Sequence, residues 1–172
     1  MEAHLVMRAL LEGLPSRVAK LPVERLAHKS APDRWSPKEE FGHLIDSAVN
    51  NHQRIVRGQL ADGLALPGYD GEHWVAVHRY QERDWQELID LWHACNTQLL
   101  AAAEAAPDSA WSHTCRINDG APVSLKFVYE DYIHHMLHHL RHIGVETDDL
   151  LSSMPSLRGA WPPWVGGKPP QR

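Results

Sequence analysis

The sequence predicts an all-α protein, a four-helix bundle with a small extended or hairpin segment ahead of its last helix. Three observations carry this. Four long segments return apolar residues at every third or fourth position. Two of them open on helix-capping signals. Pro and Gly gather between the segments, where chain reversals belong. Four amphipathic helices of such length bury their apolar stripes best against one another.

The first helix is expected over residues 3–20, where Leu5, Val6, Leu10, Leu11, Leu14 and Val18 keep helical spacing. Pro15 falls inside it and predicts a kink or break. Residues 21–34 form a connection rich in Pro, Ser, Ala and charge. Trp35-Ser-Pro-Lys-Glu39 is a strong helix start. Ser36 can cap, Pro37 suits the first helical position, and Glu39 completes a capping box. The second helix then runs to Gly58 or Asp62. Its apolar face is Phe41, Leu44, Ile45, Ala48, Val49, Ile55 and Val56, with His52 inside that face as a core histidine. His43 falls opposite, with Asp46, Ser47, Asn50 and Arg54 nearby. A polar face lining a cleft and one facing water look alike at this level.

Residues 64–71 read as a loop and 72–80 as a short helix. Asp84-Trp-Gln-Glu87 is a second capping box. It opens a third long helix to about Ala106, with Leu88, Ile89, Leu91, Trp92, Cys95, Leu99 and Leu100 on its stripe, and Pro107 ends it. Asn96, mid-helix, reads as a solvated or capped amide. Residues 111–123 are the least helical stretch, and Asn118-Asp-Gly120 signals a tight turn. The last helix is expected over 124–143, with Gly144 as its C-cap. Domain 1–150 is followed by an irregular tail, 151–172, rich in Pro, Gly and Trp. There Trp161-Pro-Pro-Trp164 is expected to pack back on the bundle, and residues 166–172 to be mobile.

Composition narrows the function. The 172 residues suit one domain with a real core. A hydrophobic fraction of 43% without an apolar run of ~18 residues predicts no membrane span. The N-terminus does not resemble a signal peptide, so a cytoplasmic protein is expected. A net charge of −5 without a long basic run argues against nucleic-acid binding. Cys95 and Cys115 have no metal or redox spacing; they read as a core thiol and a loop thiol.

The last helix holds the densest chemistry. Five of thirteen histidines lie between His134 and His142. At about 100° per residue, Leu125, Tyr129, Tyr132, Ile133, Met136, Leu140 and Ile143 share the arc that should face the core. His134 and His138 point away from it. His135 and His139 lie on its flank, one turn apart, where two imidazoles can ligate one metal ion. Asp131, a turn earlier, is placed to orient His135. A solvated His-rich face is the competing reading, and two ligands alone do not make a site.

Two motifs carry a resemblance. Trp35-Ser-Pro-Lys-Glu-Glu-Phe-Gly-His43-Leu-Ile-Asp-Ser47, with Asn50 and Arg54 after it, resembles the second-helix motif of the DinB/YfiT-like metalloproteins. Tyr132-Ile-His-His135-Met-Leu-His-His139-Leu-Arg-His-Ile143 resembles their last-helix motif. The likeness spans most of residues 1–145. It implies a bundle of up-down-down-up order and one divalent ion, zinc or nickel, held by His43, His135 and His139. It thereby sets the polar face of the second helix against the metal. A register shift to His134 and His138 is the alternative to exclude.

Three neutral imidazoles leave the ion's full charge and an open position, as in catalytic sites. Such an ion can lower the pKa of bound water towards ~7 for hydrolysis, or hold a low-molecular-weight thiol as thiolate for attack on an electrophile. The resemblance covers both a metal-dependent hydrolase branch and thiol S-transferase and isomerase branches. No Glu general base is fixed by spacing, which favours thiol transfer, with Arg54 placed to hold a carboxylate of a thiol cofactor. The expected partners are a small-molecule substrate and, by family analogy, a second copy in a homodimer. A binding bundle or dimerisation module without turnover is the competing class.

Overall fold

A computed structural model of the chain describes residues 1–150. The expectations for the tail, including Trp161 to Trp164, lie outside the described residues. Four long helices dominate: α1 (Glu2–Val18), α3 (Pro37–Gly58), α5 (Trp85–Glu104) and α6 (Leu125–His142). Two short helices, α2 (Val23–Leu26) and α4 (Gly71–His78), sit in the connections, with 3₁₀ turns at Tyr80–Glu82 and Asp108–Ser112. α3 packs along both α5 and α6, and α1 closes the group against α5 and α6. One continuous apolar core lies between them.

The helix starts form as their residues dictate. Ser36 accepts from the backbone N–H of Glu39, and the Glu39 carboxylate accepts from the backbone N–H of Ser36. Asp84 accepts from the backbone N–H of Glu87, whereas the Glu87 carboxylate takes the Arg83 guanidinium. Ser124 caps α6 through the N–H of Phe127. Beyond its end, Gly144 has φ +79°, which a side chain would strain.

Several expectations need correction. α1 runs unbroken through Pro15 and ends at Val18, so the missing N–H falls in the last turn, where the helix loses little. The 64–71 loop contains a strand, β1 (Leu64–Leu66). It pairs in parallel with β2 (Thr114–Ile117), which pairs antiparallel with β3 (Val123–Ser124). The hairpin at Asn118 is therefore present, but as part of a three-stranded sheet. Cys115 is buried on β2 while Cys95 is only half-buried, the reverse of the assignment from sequence. Asn96 is buried within the core. It donates to the Trp92 carbonyl and accepts from the Tyr132 hydroxyl.

α3 departs furthest from its sequence pattern. Val49 and Val56 are exposed and His52 is only half-buried, while His43, Asp46, Ser47 and Asn51 are buried. The helix is packed by α5 on one side, α6 on another and α4 on a third. Its polar face thus turns inward, towards α6 and α4.

Candidate metal centre

Two helices build the site. On α3, Glu40, His43 and Ser47 recur at helical spacing and share one face. On α6, His135, His139 and His142 do the same. Where the two faces meet, His43 and His139 are buried and His135 is half-buried.

Three imidazole nitrogens converge. The Nε2 of His135 lies 3.1 Å from the Nε2 of His43 and 3.1 Å from the Nε2 of His139. The ligand atoms of all three lie within 4.8 Å of one another. A tetrahedral ion with bonds of ~2.0–2.1 Å would space its nitrogens about 3.3 Å apart, so the observed spacing fits a single ion. The opposite ring nitrogens turn outward. Nδ1 of His139 meets the Glu40 carboxylate, and Nδ1 of His135 lies 3.3 Å from the Ser47 hydroxyl. Nδ1 of His43 is buried with no hydrogen-bond partner.

Proton counting shows why this cluster fits a cation. A carboxylate only accepts, so the Nδ1 of a neutral His139 carries the proton and its Nε2 presents a lone pair. A single Nε2–H on His135 can reach the two neighbouring lone pairs only as a shared, three-centre bond. That arrangement puts the proton of His43 on its Nδ1, which is buried without a partner. An added proton is disfavoured at both His43 and His135. Burial, and then the neighbouring His139, push the His43 pKa down to about 3. His135 is held well below its ordinary value by burial and by His139 and His43. Neutral imidazoles are the form that binds metal.

Aromatic rings and a small loop wall the cluster. The Trp35 indole lies 4.8 Å from the His43 ring and 6.2 Å from His139, centre to centre. Tyr69 lies 6.0 Å from His43. Its hydroxyl is hydrogen-bonded to Ser47, and burial pushes its pKa up to about 12. Tyr69 follows β1 in a loop pinned to the hairpin. The Gly68 N–H donates to Oδ1 of Asn118 at 2.6 Å, and the Asn118 N–H donates to the Leu66 carbonyl at 3.0 Å. Gly71 then passes so close that a Cβ there would stand 3.0 Å from Cε1 of His43.

Arg54 sits beside this wall. It donates to Oδ1 of Asn51 at 3.2 Å, and its Nε is buried without a partner. Burial lowers its pKa, against the raising effect of Tyr69 and Asp131. Its charge in turn reaches His135. A groove of about 640 Å³ between α1 and α5, lined by residues such as Leu11, Pro15, Ile89 and His93, shares no residue with the cluster.

Residues 7–143 match the family model of the DinB superfamily. The chain belongs to that superfamily. Among solved structures, the mycothiol-dependent maleylpyruvate isomerase aligns over 84% of this chain with a TM-score of 0.69 and 14% identity. A variant of that isomerase gives 0.68 and 13% over the same share. This chain spans 60% of the isomerase's length. YfiT from Bacillus subtilis, described as a probable metal-dependent hydrolase with an unusual four-helix bundle topology, aligns over 82% of this chain and 87% of its own. Its TM-score is 0.62 and its identity 17%. These likenesses show a shared fold. No curated protein matches the chain at a significant level.

Within this DinB-superfamily fold, His43, His135 and His139 come together, and His134 and His138 are not part of the convergent set. Arg54 and Asp131 lie within electrostatic reach of each other on the same side. Glu40, Ser47 and Tyr69 were not singled out as site residues by sequence reasoning. Glu40 had a signal: it precedes His43 by three residues and so shares its face. Tyr69 had none, because its place depends on β1.

Proposed function

We propose that His43, His135 and His139 hold one divalent ion, zinc or nickel, and that the protein is a metal-dependent enzyme acting on a small molecule. The observation that carries this is the convergence of three Nε2 atoms at a spacing that suits one ion, in a cluster that otherwise leaves one N–H shared and the His43 Nδ1 without a partner. Three protein ligands leave a position open for a reacting group. When bound, the ion would supply either an acidified water or a thiol held as thiolate.

The residues around the cluster favour thiol transfer over hydrolysis. Hydrolysis is helped by a carboxylate free to take a proton on the open side. Glu40 is engaged on the far side of His139, and Asp46 is buried against the Tyr80 hydroxyl and His78. Trp35 and Tyr69 set apolar ring surface beside His43. Arg54 supplies a fixed positive charge for an anionic group of a thiol cofactor. The up-down-down-up helix order and a domain boundary near residue 150 belong to the same reading. A bundle that binds metal or ligand without turnover is the rival.

Metal content by mass spectrometry, on protein purified without a His-affinity column, tests the proposal beside His43→Ala. One divalent ion per chain, lost in the variant, is expected. Metal retained by the variant would place the site within α6 alone. Cobalt spectra that shift on adding a thiol would separate an open site from a saturated one.

A further inference from the structure

We propose that Glu40 is a positioning residue of the metal centre: its carboxylate holds His139 in the one tautomer that aims a bare Nε2 at the ion. This rests on the metal-site reading above and adds a residue to it.

The carboxylate is fixed at both ends. One oxygen meets Nδ1 of His139, and the other lies 3.3 Å from Nδ1 of His142. The Glu40 side chain is only 14% exposed and that of His139 only 2%. These are not the terms of a loose surface ion pair, which contributes about 0–1 kcal/mol. An imidazole that donates Nδ1–H to a carboxylate becomes a more basic ligand at Nε2, and its ring plane is set. Glu40 also sits three residues before His43. One turn of α3 therefore supplies a ligand and the group that orients a ligand on α6.

The neighbouring carboxylate provides an internal comparison. Glu39 closes the capping box at Ser36 and pairs with Lys29 at 2.8 Å. Its hydrogen bonds go to Ser36 and Lys29, away from the three histidines. Loss of Glu39 should weaken the helix start, and loss of Glu40 should weaken the metal.

The full-length chain is stripped with a chelator, and zinc affinity is read by competition with a chromogenic chelator. Glu40→Gln keeps an acceptor oxygen but removes the charge, and about tenfold weaker binding is expected. Glu40→Ala removes both, and about 100-fold is expected, the upper end for such orienting partners. The cobalt-loaded spectrum should shift in both variants, which a merely structural role would not cause. Glu39→Ala should lower the melting temperature of the stripped protein and leave zinc affinity within about twofold of wild type. Should Glu40→Ala fail to fold, Glu40→Gln decides. Affinity within threefold of wild type in both Glu40 variants would overturn the assignment, as would an equal loss in Glu39→Ala. A wild-type chain that takes up no divalent ion would overturn the metal reading and this proposal together.

Discussion

Acid should loosen the metal-free protein through His43. The folded-state pKa of His43 is about 3, against an ordinary value of 6.5. Between those values the unfolded chain binds more protons than the folded one, so stability rises with pH and is lost as pH falls. A pH of 5 lies about 1.5 units below the pKa of the unfolded imidazole. At 1.36 kcal/mol per unit, this costs the fold roughly 2 kcal/mol relative to pH 7. For a chain of this size, that is a fall of about 4–8 °C in melting temperature. His135 acts in the same direction. The assay is urea unfolding with a chelator present, at pH 7 and pH 5, for wild type and His43→Leu. Leu fills most of the space and does not titrate. Subtracting the two pH effects removes the background of carboxylates common to both proteins. The variant should lose about 2 kcal/mol less than wild type. Equal losses would refute the placement of a neutral, desolvated imidazole at this position.

Three further outcomes follow from contacts. His135→Ala and His139→Ala should each abolish metal uptake in mass spectrometry, while His134→Ala should retain it; metal loss in His134→Ala alone would shift the register by one residue. Gly42→Ala would set a Cβ 2.1 Å from the Tyr80 ring, whose hydroxyl is held by Asp46 at 2.6 Å. The ring has little room to yield, so a loss of at least about 1–3 kcal/mol is expected in denaturant titration. Tyr132→Phe removes the hydroxyl that Asn96 accepts from in the core, and should cost about 1–3 kcal/mol with metal content unchanged.

What could be read from the sequence was what is local. Ser36, Pro37 and Glu39 mark the start of α3 because capping involves only residues a turn apart. The apolar arc of α6 places His135 and His139 on its flank because one helix suffices to define a face. β1 was missed because three residues, Leu64 to Leu66, form a strand only by pairing with a segment fifty residues on. His43 was ambiguous for a related reason. Periodicity assumes that one face of a helix is wet, whereas α3 is enclosed on three sides. Asn96 was misjudged because its partner, Tyr132, lies on another helix. The contact between Glu40 and His139 likewise exists only across the α3–α6 interface.

That interface makes the centre portable. Glu40, His43 and Ser47 occupy eight residues of α3, and His135 and His139 occupy five of α6. Each nitrogen of the last two rings meets a side chain from this set of five. α1 and α5 pack against these two helices from the other side of the core. A core substitution far from the histidines that rotates α3 against α6 should therefore alter zinc affinity without touching a ligand. The same segments, extended to His142 and grafted on another helix pair that crosses alike, should carry the hydrogen bonds of the three rings with them, leaving behind only the Tyr69 contact to Ser47.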